Sequence, residues 1–544
     1  MAFVDGHQPG LFWQSLMGNN SDGIGGNCHR YDVVGEGTPH RWFLVDYGVK
    51  FRHGGRGYAV EFASPEGLLA RRSDGQVEGG GPIPDGLVLT HAHEDHIGAI
   101  RHLLDMGYRV PPVYASAFTA AMLNKSLADA GIARDRWPEM TIVRNGEVVA
   151  LADARVEFVA VDHMPGATAL AIRSEQGCVF HSGDYRFDAT LPLGERADPE
   201  RLRALGKEGI DMVVADSTSA PNRQDPVAEA DIQRNLSRLM AANTGRPLIA
   251  GILGSQLDRL VSLGRAAHDN GRALAVSGRS LAANVAAAGM AGLDVAAAAG
   301  TPILTAAEAR ALPPGQVLMV TTGAFAQANS GLMRAANRQP GALEITPDTT
   351  VIVAQRDIPS SRAAQAAMVA KLERLGARVI TAEAAEAQGF GPIHQSGHAV
   401  ERDVRLMYTL LRPKGLAVPI HGDHRQIQAN SRLARSLGIP SMVLDRNGTV
   451  IRVGRDGVSV AGAEAVSRVG ARERTDGVKQ LPRAPRGQGR DSHFAVPAYS
   501  YDGLDATGTI VLKPDFCRSP DPLRPKRSNA PEITVTTLAG RRER

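Results

Sequence analysis

The sequence contains few cysteines and no long apolar segment. Only three cysteines, Cys28, Cys178 and Cys517, occur among its 544 residues. Their odd number and wide spacing exclude a disulfide framework and a zinc site built from thiolates, and they are typical of a reducing compartment. No window approaches the roughly 18 uninterrupted apolar residues of a membrane span, and the opening MAFVDGHQPG does not have the pattern of a secretory signal. We therefore expect a cytoplasmic protein with no membrane partner.

Two common catalytic motifs are also missing. The sequence has no GxxxxGK[ST] phosphate-binding loop and no Lys-plus-Ser nucleophile, which excludes the enzyme classes that depend on them. The formal net charge is only +4, and a pI near 9.0 gives a weak indication of an anionic partner such as nucleic acid. With 43% hydrophobic and 22% charged residues the chain is typical of globular proteins, and its length predicts two or three domains.

Short apolar segments that end at polar residues recur over residues 1–215. The segments are WFLVDYG, GLVLTH, VEFVAVDH, CVFHSGD and IDMVVADST. Such segments are typical of strands, and the active sites of layered α/β folds lie where strands end and loops begin. We therefore expect residues 1–215 to form an α/β domain with its site at the strand ends.

The pattern changes at residue 216. Over residues 216–375, Ala-rich helical segments alternate with the apolar strands RPLIAGI, RALAVSG, QVLMVTT and TVIVAQ, which predicts a second α/β unit with a mostly parallel sheet. The first pattern returns over residues 376–455, so we expect the second unit to be an insertion into the first domain. Residues 456–544 are rich in Arg, Pro and Gly, and this composition predicts a C-terminal extension that is only partly ordered.

The stretch THAHEDHIG at residues 90–98 concentrates His91, His93, Asp95 and His96 between a predicted strand and a predicted helix. Imidazole and carboxylate ligands suit zinc or manganese. Two such ions, about 3.5–4 Å apart, supply the chemistry for hydrolysing a phosphate ester or a carbonyl compound. A polar helix cap without metal is the alternative, but four such residues directly after an apolar strand favour the metal site.

This motif resembles the signature of the metallo-β-lactamase fold, an αββα sandwich. The resemblance implies that a further histidine and a bridging aspartate follow at later strand ends, and VDHMPG supplies His163 while HSGDYRFD supplies Asp184. Asp46 in FLVDYG resembles the early aspartate that supports the ligand loop by hydrogen bonding.

Later blocks, covering roughly residues 20–455 with the first motif, resemble the β-CASP nucleases, and ribonuclease J most closely. The blocks are HSGDYRFD, IDMVVADSTSAPN, GRALAVSGRSLAANV, QVLMVTTGA and IHQSGHAVERDVRLMYTLLRPKGLAVPIHGDHRQI. Asp216, His398 and His421 match the three motifs of that group. The implied fold class is α/β: a metallo-β-lactamase αββα sandwich with an inserted β-CASP domain and a short C-terminal extension.

The resemblance also implies a set of ligands for two divalent metal ions. One ion would be bound by His91, His93 and His163, the other by Asp95, His96 and His421, with Asp184 bridging the two. The donor atoms favour zinc, with manganese and magnesium as alternatives.

The other site residues take further expected roles. Asp95, Asp184, Asp216 and His398 are the expected catalytic residues, and Ser396, Gly397, His398 and Arg279 the expected substrate contacts. Arg259 and Arg356 are further candidates to line the strand-binding channel. Asp46 and His394 would support the ligands from outside, and His181, His424 and Asp162 adjoin ligands that they could orient.

The expected function is hydrolysis of phosphodiester bonds in single-stranded RNA by a two-metal ribonuclease, cutting internally and from the 5′ end. A homo-oligomer or an RNA-decay complex are further expected partners. The loop TTGAFAQA at residues 321–328 replaces a more polar loop of ribonuclease J, so substrate contacts there differ. The altered loop keeps open a metallo-hydrolase that acts on DNA or on a small phosphodiester or ester, and a catalytically weak RNA-binding scaffold is a further alternative.

Overall fold

A computed structural model describes residues 8–19, 24–37, 39–53, 58–73, 76–78, 83–356, 361–444 and 446–472, together with strands at 499–504, 510–514 and 533–537. The C-terminal region 456–544 lies only partly within these ranges. The disorder expected for the rest of that region falls outside the described residues.

The first sheet combines the N-terminal strands with two strands from residues 449–463. Its order is β10-β9-β8-β3-β2-β1-β23-β24, for the strands Gly10–Met17 (β1), Cys28–Val34 (β2), Arg41–Val45 (β3), Leu87–Val88 (β8), Val113–Ala115 (β9), Met140–Ile142 (β10), Thr449–Gly454 (β23) and Gly457–Ala463 (β24). Trp13 of β1 lies opposite Tyr31 of β2 on one side and Ile451 of β23 on the other, and both pairings are antiparallel.

The second sheet is also completed by a strand that follows the insertion. Its order is β11-β12-β13-β14-β15-β22, for the strands Val148–Leu151 (β11), Ala154–Ala160 (β12), Thr168–Ser174 (β13), Gly177–His181 (β14), Met212–Asp216 (β15) and Leu416–Ile420 (β22). β15 and β22 pair in parallel, with Val214 opposite Val418. Strands that follow the insertion therefore complete both sheets.

The two sheets pack face to face through alternating apolar residues. Leu11 and Trp13 of β1 and Val156 and Phe158 of β12 belong to one buried cluster between the sheets. Because side chains of a strand alternate between its two faces, one apolar set faces this interior while the other packs beneath helices. Full burial of each such large side chain contributes roughly 1.5–3 kcal/mol. This arrangement confirms the predicted αββα sandwich.

Helices cover the outer faces of the sandwich and surround the inserted sheet. Those of the sandwich are Glu94–Ile97 (α1), Ala99–Asp105 (α2), Ala117–Asp129 (α3), Pro199–Glu208 (α4), Glu401–Leu411 (α13) and His424–Ser436 (α14). Those of the insert are Glu229–Ala241 (α5), Leu257–Asp269 (α6), Arg279–Met290 (α7), Val295–Ala299 (α8), Ala306–Ala309 (α9), Gly331–Ala336 (α10), Arg362–Arg374 (α11) and Ala382–Ala387 (α12). Short 3-10 turns lie at Arg134–Arg136 and Pro314–Gln316. Among the described residues, every helix is too short or too polar to cross a bilayer.

The insert contains a six-stranded sheet whose pairings are all parallel, as its alternation of helices and strands predicts. The order is β18-β17-β19-β16-β20-β21, for Leu248–Ile252 (β16), Ala273–Ser277 (β17), Ile303–Thr305 (β18), Val317–Thr322 (β19), Thr350–Val353 (β20) and Arg378–Thr381 (β21). The last strand lies beyond residue 375, where the insert was expected to end. Its apolar residues pair with β20 and so belong to the insert.

A third sheet joins an early hairpin to the C-terminal region. Its order is β26-β27-β28-β25-β5-β4, for Lys50–His53 (β4), Tyr58–Ala63 (β5), Arg468–Arg472 (β25), Tyr499–Leu504 (β26), Ile510–Pro514 (β27) and Ile533–Thr537 (β28). Arg71–Ser73 (β6) and Gln76–Glu78 (β7) form a separate hairpin. The C-terminal extension is therefore connected to the sandwich through β25 and β5.

The insert meets the sandwich through buried charged side chains, and one of them corrects a prediction. Arg259 of α6 was expected to line a strand-binding channel, but it is only 3% exposed. Its guanidinium donates to both carboxylate oxygens of Glu229, at 2.7 and 3.0 Å. A buried guanidinium needs all its donors satisfied within the protein, so Arg259 is unable to reach a bound strand.

A second buried acid of α6 predicts a pH-dependent stability. Asp258 accepts a hydrogen bond from the Leu193 backbone N–H at 3.0 Å, and burial followed by the nearby Glu229 raises its pKa to about 7. The folded protein therefore holds this proton more tightly than the unfolded chain, whose carboxyl has the ordinary pKa of 3.8. The contribution of Asp258 to the free energy of unfolding is consequently lost as pH rises from about 4 to about 7.

Asp258→Asn keeps the acceptor for Leu193 and removes the buried charge. At pH 8 we expect the variant to exceed the wild type in unfolding free energy by roughly 4 kcal/mol, since each pKa unit corresponds to about 1.4 kcal/mol, and at pH 4 the difference should nearly vanish. Thermal unfolding followed by circular dichroism at both pH values measures this. An equal loss of stability at the two pH values would contradict the shifted pKa.

Candidate active site

The predicted site residues come together at one edge of the sandwich, where six strands end. The strands β3, β8, β12, β14 and β22 are followed there by Asp46, His91, His163, Asp184 and His421, and β15 ends there at Asp216. The segment after β8 adds His93 and, from the first residues of α1, Asp95 and His96. Because both sheets direct the carboxyl ends of strands to this edge, residues far apart in the chain become neighbours.

His91, His93, His163 and Asp184 form the first group, with ligand atoms all within 4.8 Å of one another. His93 Nδ1 lies 3.2 Å from His91 Nε2 and 3.0 Å from His163 Nε2. Burial lowers the pKa of all three imidazoles, and burial together with His93 lowers that of His163 to about 3. These rings are therefore neutral, which is the form of histidine that binds metal.

Asp95, His96, Asp184 and His421 form the second group, again within 4.8 Å. His421 Nε2 lies 3.1 Å from Asp95 Oδ2. Burial alone would lower the pKa of His96, but the carboxylates of Asp184, Asp46 and Asp95 outweigh it and raise the pKa to about 10. This half of the site thus attracts positive charge, which a divalent cation would supply.

Asp184 lies between the two groups and belongs to both. Its Oδ2 is 3.5 Å from His91 Nε2 and 3.3 Å from His96 Nε2, while its Oδ1 is 3.5 Å from His421 Nδ1. The side chain is 2% exposed. One carboxylate therefore faces the ligand atoms of both groups, as a bridging ligand requires.

A third group surrounds His398. Its Nδ1 lies 2.9 Å from Asp216 Oδ2, and Asp216 Oδ1 lies 3.2 Å from His421 Nδ1. The His398 side chain is 19% exposed, whereas Asp216 and Asp184 are nearly inaccessible. Asp216 therefore orients an imidazole that faces the opening of the site.

Each of three candidate ligands is held through its second ring nitrogen. Asp46 Oδ2 lies 2.7 Å from His96 Nδ1, Thr218 Oγ lies 2.8 Å from His421 Nδ1, and the Gly397 carbonyl lies 2.7 Å from His163 Nδ1. Such contacts fix the tautomer and leave Nε2 for a metal. Asp46 was predicted from the sequence, but Thr218 was missed, although its place two residues after Asp216 is a signal that could have found it.

Backbone contacts hold the ligand loop, and the sequence analysis missed these too. The Asn27 N–H donates to the Asp95 carbonyl at 2.8 Å. A Cβ atom at Gly48 would lie 1.7 Å from the Asp95 carbonyl oxygen, so only glycine allows the chain to pass there. Asp46 and His421 adopt left-handed backbone angles, with φ of +58° and +52°, and strain of this kind concentrates at functional sites.

The donor set fits two divalent metal ions. Seven side chains, His91, His93, Asp95, His96, His163, Asp184 and His421, offer imidazole nitrogens and carboxylate oxygens from two groups that share one carboxylate. Imidazole with carboxylate is the chemistry of zinc, manganese and related sites.

The remaining predicted residues have varied surroundings. Ser396 Oγ accepts from Ser219 Oγ at 3.2 Å, close to His398. His394 is buried, and burial followed by Arg259 lowers its pKa well below the usual value, so it faces the charged cluster of the insert. Arg279 is exposed at the start of α7, and Arg356 pairs with Glu386.

Three residues expected to orient ligands make their hydrogen bonds elsewhere. His424 is exposed and contacts Gln428 at 2.7 Å, because it begins α14 and points along that helix. His181 Nδ1 contacts the Tyr31 hydroxyl at 3.0 Å. Asp162 accepts from the backbone N–H groups of Asp188 and Ala197. The expectation that they bond to ligands is wrong.

Glycine at position 397 is predicted to be needed for full metal affinity. A Cβ atom there would lie 2.8 Å from His163 Nδ1. Gly397→Ala should displace this imidazole and weaken metal affinity roughly 10- to 100-fold, which titration with zinc and a competing chelator measures. Gly289→Ala is the matched control, because nothing lies within 4 Å of the added atom. Equal affinity of the Gly397 variant and the wild type would contradict this geometry.

Family models match three parts of the chain. Residues 41–222 match the "Beta-lactamase superfamily domain", residues 244–372 match "Ribonuclease J, beta-CASP domain", and residues 391–444 match "Zn-dependent metallo-hydrolase RNA specificity domain". With the αββα sandwich and the His/Asp centre, these matches define a metallo-hydrolase of the metallo-β-lactamase superfamily with a β-CASP insert.

Similar proteins named ribonuclease J identify the family within this class of metallo-hydrolases. The chain is 31% identical to ribonuclease J of Mycolicibacterium smegmatis over 465 residues, which cover 85% of this chain and 78% of the relative. It is 31% identical to ribonuclease J of Mycobacterium tuberculosis (strain CDC 1551 / Oshkosh), and the alignment covers 71% of this chain and 67% of the relative. It is also 31% identical to ribonuclease J of Sinorhizobium meliloti, where the alignment covers 79% of this chain and 73% of the relative. The chain belongs to the ribonuclease J family, as its motifs predict.

A solved structure agrees in fold. A protein of unknown function from Enterococcus faecalis V583 aligns with a TM-score of 0.54 and 18% identity, covering 81% of this chain and all of that one. At this identity the likeness concerns the fold alone.

Proposed function

We propose that this protein is a two-metal ribonuclease that hydrolyses phosphodiester bonds of single-stranded RNA, internally and from the 5′ end. The observation that carries the proposal is the pair of His/Asp groups joined by Asp184 at the carboxyl ends of the strands. Membership of the ribonuclease J family supports RNA as the substrate.

The proposed metal ligands are the members of the first two His/Asp groups described above. His91, His93 and His163 would bind one ion, Asp95, His96 and His421 the other, and Asp184 both. Zinc is the metal we propose, because imidazole nitrogens predominate among these ligands, and manganese or magnesium are the alternatives. When bound, the ions supply activation of water for attack on phosphorus and neutralise charge on the phosphate oxygens.

His398 is the residue we assign to the leaving oxygen. Asp216 accepts a hydrogen bond from its Nδ1 at 2.9 Å, so Nε2 is the ring nitrogen left for substrate. From the exposed side of the site this nitrogen can donate a proton to the departing ribose oxygen or a hydrogen bond to the scissile phosphate. Asp216 holds the ring in the orientation that this donation needs.

The loop that carries His398 also offers phosphate contacts. Ser396 and Gly397 precede it, and the absence of a side chain at Gly397 allows the backbone to approach a bound phosphate closely. Arg279 is exposed at the start of α7 in the insert, and we propose that it contacts the RNA backbone.

The proposed location is the cytoplasm. Buried, unpaired Cys28 and Cys178 support it, since both thiols stay reduced in such a compartment. Self-association and membership of an RNA-decay complex stay predictions from the sequence.

The test is cleavage of a single-stranded RNA labelled at its 3′ end, carrying either a 5′-monophosphate or a 5′-triphosphate, with zinc or manganese. Single-stranded DNA of the same sequence and a small phosphodiester are parallel substrates, and Asp95→Ala is the control enzyme. Internal cuts or a 5′-monophosphate-dependent ladder, absent with Asp95→Ala, are expected. Cleavage of only the DNA or the small ester by metal-loaded protein would overturn the proposal.

A further inference from the structure

Arg259 joins three segments of the chain that are far apart in sequence. Besides the two bonds to Glu229 of α5, its Nη1 donates to the Ile393 carbonyl at 2.8 Å and to the Ala354 carbonyl at 3.3 Å. Ile393 lies in the connection between α12 and α13, and the 393–398 loop is the part of this connection that runs from Ile393 to His398. The guanidinium therefore holds the segment that carries the proposed proton donor at a point five residues before it.

Glu229 in turn is held by the sandwich. Its backbone N–H donates to Asp188 Oδ2 at 2.9 Å, and Arg186 lies 2.8 Å from the same carboxylate. Burial alone would raise the pKa of Glu229, but Arg259 and Arg186 outweigh it and lower the pKa to about 2. The pair is therefore charged at neutral pH.

The contacts continue from Asp188 back to the metal centre. The Asp188 N–H donates to Asp162 Oδ2 at 2.9 Å, and Asp162 directly precedes the candidate ligand His163. His163 Nδ1 in turn lies 2.7 Å from the carbonyl of Gly397 in the 393–398 loop. The connections thus form a closed ring that runs through the following residues: Asp162, Asp188, Glu229, Arg259, Ile393, Gly397 and His163.

We propose that Arg259 is a positioning residue that sets the 393–398 loop, and with it His398, for reaction. The inference rests on the proposed function, and it adds a role that the insert plays in catalysis beyond contacting RNA. An arginine is needed because its planar fork donates to the Glu229 carboxylate and to the Ile393 carbonyl at once, which a lysine ammonium does not do in the same geometry.

A second contact between insert and loop supports this role. The Val227 N–H donates to Gln395 Oε1 at 3.2 Å, so the segment that leads into α5 holds the middle of the loop while Arg259 holds its start. A displacement of α5 or α6 would therefore move both points of attachment.

Arg259→Lys is the test, and Arg30→Lys is its matched control. Arg30 is a similarly buried arginine that donates to both carboxylate oxygens of Asp32, in β2. For Arg259→Lys we expect kcat to fall roughly 10- to 100-fold with a far smaller change in KM, because a displaced catalytic group costs rate more than binding. Metal content should stay at the wild-type level, and hydrogen exchange over residues 391–399 should accelerate. Arg30→Lys should leave kcat and that exchange unchanged.

Glu229→Gln is the second variant, since it keeps the shape of the partner and removes its charge. It should reproduce the kinetic and exchange effects in weaker form, and it replaces Arg259→Lys as the test if that protein does not fold. Equal kcat and equal exchange over residues 391–399 in wild type and variant would overturn the inference while wild-type RNA cleavage still stands. A wild type that does not cleave RNA would instead overturn the proposed function, and hydrogen exchange would still decide whether Arg259 holds the loop.

Discussion

Asp184→Asn is expected to abolish RNA cleavage and metal binding while the protein stays folded. Asp184 is the one side chain shared by all groups of candidate ligands among the described residues. An amide has no charge to balance two cations and turns an N–H group toward the imidazoles. Loss of several kcal/mol of transition-state stabilisation corresponds to a rate at least about 10³-fold lower.

Metal content after gel filtration and cleavage of the 3′-labelled RNA measure this result, with circular dichroism as the check on folding. Asp211→Asn is a matched control. Asp211 accepts from the Cys178 N–H at 2.8 Å and lies at the opposite end of β15, far from the metal centre. Normal metal content in the Asp184 variant would show that the proposed bridge is wrong.

His398→Ala is expected to separate catalysis from metal binding. His398 lies outside the seven proposed ligands, and its ring is the most exposed of the third group. Removal of a proton donor to the leaving oxygen lowers rates by roughly 10²- to 10⁴-fold. We therefore expect a fall of this size in kcat with full metal content.

The exposed His424 provides the control, because His424→Ala removes an imidazole three residues from His421 without touching the site. Its activity should equal that of the wild type. Loss of metal from the His398 variant would contradict the assignment and make His398 a ligand.

Much of the fold and of the candidate metal centre could be predicted from the sequence because the candidate metal ligands lie at the ends of strands. Four candidate ligands occur within one stretch of six residues, and the strands before His163, Asp184 and His421 are strongly apolar. The parallel sheet of the insert follows from its regular alternation of helices and strands. Strand β21 lies after residue 375, where the insert was expected to end, although it pairs with β20 of the insert. A short apolar segment does not reveal which strand it will pair with.

The hydrogen-bond partners of the residues around the site could not be predicted from the sequence pattern. An arginine in an amphipathic helix is usually solvated, and only the fold shows that Arg259 is buried against Glu229 and a carbonyl 134 residues away. For His424 the expected contact is absent. Its nearness to His421 in sequence suggested a hydrogen bond between the two side chains, but His424 begins α14 and contacts Gln428 instead. Nearness in sequence predicts a shared loop well, but it predicts hydrogen-bond partners poorly.

The pairing of the first strand with a late one has a consequence for synthesis. Leu11 of β1 lies opposite Val453 of β23, so at about 5–20 residues per second the ribosome needs on the order of tens of seconds to deliver the partner. His421 emerges shortly before it. A nascent chain therefore has neither a closed sandwich nor a complete set of candidate metal ligands until β22 and β23 have left the ribosome.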